Sequence, residues 1–133
     1  MKNDPVTIPR PTDGELTIMR VLWKSGEGTV RQVFEELNRD RDEQVVYTTV
    51  LKSMQIMHEK GLLLRNDSER SHVYRPAVPP EKTKRQMAAH LLHRVFEGSA
   101  RELVAHALGG RRVSKSELAE IRELINELEA RQK

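Results

Sequence analysis

The sequence predicts a mainly α-helical chain in which three helices and a small β-hairpin are followed by three further helices. Three observations predict it. Apolar residues recur at helical spacing in six stretches. Four of these open on a Ser or Thr with Glu or Gln three positions later, the signature of a capping box. Between Gly61 and Pro76 the pattern changes to two short apolar runs around a polar turn.

The elements follow in order. Residues 1–11 hold Pro5, Pro9 and Pro11 without an apolar period and read as a flexible arm. Thr12 and Glu15 open a first helix, about Asp13–Lys24, with Leu16, Met19, Leu22 and Trp23 on its apolar face and Ser25-Gly26 as its stop. Thr29 and Gln32 open a second, with Val30, Val33, Phe34 and Leu37 at i, i+3, i+4 and i+7. The polar run Asn38–Glu43 ends it. A third helix covers about Tyr47–Lys60 on the stripe Val50, Met54 and Met57, with a poor cap at Val46 or Tyr47 and Gly61 placed for a left-handed stop. Leu62–Arg65 and His72–Arg75 then read as two strands around Asn66–Ser71.

Pro76, Pro79 and Pro80 close this first unit, giving expected domains at 12–78 and 79–133. The remainder reads as three helices. Ala88, Leu91, Leu92, Val95 and Phe96 face one way on the first, which Gly98 ends. Ser99 and Glu102 open the second, through Leu108, and Gly109-Gly110 stop it. Ser114 and Glu117 open the last, whose Leu118, Ile121, Leu124, Ile125 and Leu128 make a heptad-like seam.

Composition narrows the function. No cysteine is present, which excludes disulfides and thiolate chemistry. No apolar run approaches a membrane span and none follows the N-terminus, so a soluble cytoplasmic protein without membrane contact or signal peptide is expected. The net charge is +3, with residues 1–79 balanced and the excess in residues 80–133. From Gln44 to Arg75, however, five basic residues face three acidic ones, so this part can carry a positive face. No glycine-rich phosphate loop, serine elbow or nucleophile–base pair is visible, and no enzyme and no cofactor are expected.

Helix, helix, helix, hairpin is the order of a winged helix-turn-helix, in which the third helix enters the major groove of duplex DNA. At about 100° per residue, Thr48, Lys52, Gln55 and Glu59 lie opposite the apolar stripe, flanked by Thr49 and Leu51. Thr, Lys and Gln can reach base edges or phosphates. Such residues also describe a solvated helix face, and it is their place in this element order that carries the DNA-binding reading. Arg70 and Arg75 of the hairpin are candidates for phosphate or minor-groove contact, and Thr29 and Arg31 for a phosphate at the start of helix two.

Thr12-Asp13-Gly14-Glu15-Leu16, Met19 and Val21-Leu22-Trp23, with Tyr47-Thr48-Thr49-Val50, Met54, Met57 and Glu59-Lys60-Gly61-Leu62, resemble the penicillinase-repressor (BlaI/MecI/CopY) family of winged-helix transcriptional regulators. The resemblance runs from about Pro11 to Ala130. It implies a homodimer on a palindromic operator, DNA contact through Thr48, Thr49 and Lys52, and dimerisation through the three C-terminal helices. Lys52 stands where the family often has threonine, and Ile56 where it often has arginine. The Asn-Phe pair at which some members are cut is replaced by Val104-Ala105-His106-Ala107, and the terminal cysteines of the copper-responsive members are absent. Neither induction route therefore transfers, and a sensor or protease partner stays unidentified.

Dimerisation also has a physical argument. A tail of about 50 residues is too small to bury Leu91, Val95, Leu103, Leu108, Ile121 and Leu128 alone. A second copy would cover them, or the tail would fold back on its own domain. Rival functions are a winged-helix protein–protein adaptor, which the balanced charge of residues 1–79 favours, and a metal-responsive regulator using His90, His93 and Glu97. Angular spacing sets those three opposite Ala88, Leu91 and Val95, toward solvent.

Overall fold

The computed structural model describes residues 8–68 and 70–132. Its order is α1 (Asp13–Ser25), α2 (Val30–Asn38), α3 (Tyr47–Lys60), β1 (Leu63–Asn66), β2 (Val73–Pro76), α4 (Pro80–Arg94), α5 (Ala100–Gly109) and α6 (Lys115–Ala130). This is a winged helix followed by three helices. The chain divides into two compact units, Met1–Ala88 and Ala89–Lys133. The division falls inside α4, ten residues beyond the sequence expectation at 78/79, because the first half of α4 carries the fully buried Thr83.

In the first unit, Ile18, Met19 and Leu22 of α1 meet Val30, Val33 and Leu37 of α2 and Val50, Met54 and Met57 of α3, closed by Leu62, Leu63 and Tyr74. Trp23 and Phe34, read from the sequence as core, are half-buried and pack against this cluster. Both N-terminal boxes are complete: the Thr12 and Thr29 hydroxyls accept the N–H of Glu15 and Gln32, whose side chains accept the cap N–H in return. The C-terminal pair are half formed. Ser99 and Ser114 accept from Glu102 and Glu117, but the return bonds do not form, and the Glu117 carboxylate binds Arg111 at 3.2 Å instead.

The turn between α2 and α3 is tied by Asn38, whose side chain donates to the Val45 carbonyl (2.9 Å) and accepts its N–H (2.7 Å). Helix α3 ends with Gly61 at φ 89° and the Leu62 N–H bonded to the Met57 carbonyl, the Schellman arrangement that turns the chain into the hairpin. β1 and β2 pair antiparallel, Leu64 opposite Arg75 and Arg65 opposite Tyr74. Gly28, between α1 and α2, exchanges two 2.9 Å backbone hydrogen bonds with Tyr74 on the other edge of β2. That bridge ties the hairpin to the helices.

Of the expected arm, residues 1–7 lie outside the described ones, as does Glu69 of the hairpin turn. Pro11 is buried, and the Ile8 carbonyl accepts a hydrogen bond from Gln86. The last part of the arm is thus built into the first unit.

In the second unit, the chain after α4 turns through Glu97 (φ 51°) and Gly98 (φ 86°), so Val95 and Phe96 lie beyond the helix the sequence assigned to them. From Ala89 to Gln132 no residue is buried. Leu91, Val95, Leu118, Leu124, Ile125 and Leu128 are exposed. Leu103, Leu108 and Ile121 are half-buried.

Candidate nucleic-acid interface

Helix α3 has no polar residue at its cap. Val46 makes no capping hydrogen bond, and the helix holds its place through Val50, Met54 and Met57, each sealed in the core. Anchoring on one side leaves the other free, and Thr48, Thr49, Lys52, Gln55 and Glu59 are all exposed. Thr48, Lys52 and Gln55 share one stripe, offering a hydroxyl, an ammonium and an amide within about two turns.

The start of α2 abuts the start of α3. The Arg31 guanidinium sits 4.8 Å over the Tyr47 ring and 5.6 Å over Phe34, and those two rings meet edge to face at 5.4 Å. Lying over two rings limits the rotamers of a long cation while leaving it exposed. Thr29 differs from its sequence expectation in emphasis: its hydroxyl is engaged by the Gln32 N–H at 3.1 Å, which makes it a cap. Tyr47 as a platform for Arg31 escaped the sequence reading, because no spacing rule links residues in two elements.

On the wing, Arg70 and Arg75 are exposed. Arg65 is committed internally, its Nε 2.7 Å from Asp67 Oδ1, and His72 Nδ1 lies 2.8 Å from the same oxygen. The Arg65 guanidinium holds the Asp67 carboxyl below its usual value. Behind α3, Lys60 reaches both oxygens of Glu15 at 2.8 and 3.0 Å. Burial raises the Glu15 carboxyl, but the Lys60 ammonium and the Thr12 N–H outweigh it and leave it lowered. Among the described residues no three His, Asp or Glu side chains gather where they could hold a metal, so His90, His93 and Glu97 do not form such a group.

The description of the penicillinase repressor family matches residues 11–127, nearly the whole length. The chain belongs to that family. Penicillinase repressors are regulators and not enzymes. This member is 32% identical to the transcriptional regulator BlaI of Mycobacterium tuberculosis over 125 residues, 92% of this chain and 88% of that protein. It is 25% identical to the penicillinase repressor of Bacillus licheniformis over 128 residues, 95% and 97% of the two chains. With the methicillin resistance regulatory protein MecI of Staphylococcus aureus it shares 19% over 117 residues, 86% and 92% of the two. The solved DNA-binding domain of the repressor BlaI aligns with 56% of this chain and 88% of its own, at 27% identity and a TM-score of 0.48. No helix among the described residues is long and apolar enough to cross a membrane.

Proposed function

We propose that this chain is a sequence-specific DNA-binding transcriptional repressor that acts in the cytoplasm as a homodimer on a palindromic operator. The observation that carries the reading is the exposed stripe Thr48, Lys52 and Gln55 on the third helix of a winged helix, in a chain of a repressor family. Thr48, Thr49, Lys52 and Gln55 enter the major groove. Arg31, and the first turn of α2 capped by Thr29, hold a phosphate beside it, and Arg70 and Arg75 reach the backbone or minor groove from the wing.

The homodimer is supported by the helices after residue 79. A unit with no buried residue between Ala89 and Gln132 cannot hold three helices through its own core. The exposed Leu91, Leu118, Leu124, Ile125 and Leu128 supply what a second copy would cover.

The test is titration of the full chain against duplex DNA over a range of salt. Affinity that falls steeply with salt, with one duplex preferred over others, supports the reading. Indifference to every duplex at low salt removes it and leaves the adaptor reading.

A further inference from the structure

Single exposed hydrophobic side chains are ordinary on a protein surface, but their placement here is not scattered. Among the described residues of the first unit, the exposed large hydrophobics are Val46, Ile56 and Leu64. Val46 precedes the first turn of α3, Ile56 lies on α3, and Leu64 lies on the wing strand β1, opposite Arg75. The outer faces of α1 and α2 expose none among the described residues. Apolar surface in this unit is thus left in water on the same elements that carry the proposed DNA contacts.

The helical repeat sharpens the point. At about 100° per residue, Thr49, Ser53 and Ile56 run along one side of α3, next to the stripe of Thr48, Lys52 and Gln55, and Val46 stands immediately before the first turn of the helix. This second side carries the Thr49 and Ser53 hydroxyls too, and its apolar groups are the Ile56 side chain and the Thr49 methyl, with Val46 just ahead of them. Val46 is 62% exposed and Ile56 39%. Ile56, Thr49 and Ser53 also border a cleft of about 320 Å³ whose far wall is the start of α1, which fixes the side of α3 they occupy. In the major groove, hydrogen-bond donors and acceptors distinguish most base edges, while the apolar mark is the thymine C5-methyl.

We infer that Val46 and Ile56 are specificity-determining residues that read thymine methyl groups beside the bases contacted by the polar stripe. The inference rests on the DNA-binding reading above. It adds that part of the sequence preference comes from apolar contact rather than hydrogen bonding. Burying one methyl group corresponds to roughly a fourfold change in affinity.

The test begins with selection of preferred duplexes from a random library by the full chain. Each thymine of the selected duplex is then replaced by deoxyuridine, which pairs identically and lacks only the methyl. The wild-type chain should lose roughly fourfold in affinity at one or more positions. Ile56→Ser or Val46→Ser should bind the thymine duplex more weakly and be indifferent to deoxyuridine at the matching position. If nothing is selected, the DNA-binding reading itself fails. If a duplex is selected but deoxyuridine costs nothing, or costs the variants as much as the wild type, the inference is overturned while the repressor reading survives.

Discussion

Lys52 stands mid-way along the exposed stripe of α3, with no part in the core behind it. Lys52→Ala should therefore weaken operator binding by about 1–3 kcal/mol if it reads a base, with unchanged thermal stability. A gel shift paired with a melting curve separates the two effects. Arg31 asks a finer question. Lysine keeps the charge but lacks the broad guanidinium that lies over Tyr47 and Phe34. Arg31→Lys should lose about 0.5–1 kcal/mol of DNA affinity because the cation is no longer held in place. Equal affinity for the two chains would make the ring contact purely structural.

Between elements, the decisive contact joins the first turn of α1 to the last turn of α3. Glu15 serves both as the return arm of a capping box and as the partner of Lys60, 45 positions away. Glu15→Gln should cost roughly 1–2 kcal/mol, read by urea denaturation. Its pH dependence has a definite sign. A carboxyl lowered in the folded state favours folding above its unfolded value, near 4.5, and that contribution fades as pH falls through the lower folded value. The wild-type chain should lose stability in that acidic window more steeply than Glu15→Gln. Helix α4 offers the opposite case. The Thr83 hydroxyl is fully buried with no hydrogen-bond partner among the described residues. Thr83→Val keeps the shape and removes the burden of a desolvated hydroxyl, and should raise stability by up to about 1 kcal/mol.

For the whole molecule, the contrast between its two units sets the expectation. Among the described residues, the first holds a sealed core of twelve. The second buries none among its described residues and leaves Leu128 46% exposed. On the proposed homodimer, Leu128→Asp should give monomers in sedimentation that bind a palindrome far more weakly than the wild type, because two half-sites would no longer be engaged together. A dimer that persists would place the contact on other faces of the second unit.

Element order and most helix starts were legible in the sequence because their causes are local, whereas the end of α4 at Arg94 was not. Thr12, Thr29, Ser99 and Ser114 cap helices at their own N-termini, Gly61 turns at a positive φ, and the 3.6-residue period selects Val50, Met54 and Met57 for the core. The exposed stripe of α3 followed from the same period, as the complement of its buried face. Tertiary structure alone decided what depends on two distant segments sharing space: the Glu15–Lys60 pair, the seating of Arg31 on Tyr47, the Gly28–Tyr74 bridge and the burial of Thr83. A periodicity reports which way a side chain points from its own backbone. What stands there to meet it is set by how the chain closes over tens of residues, and no local pattern encodes that distance.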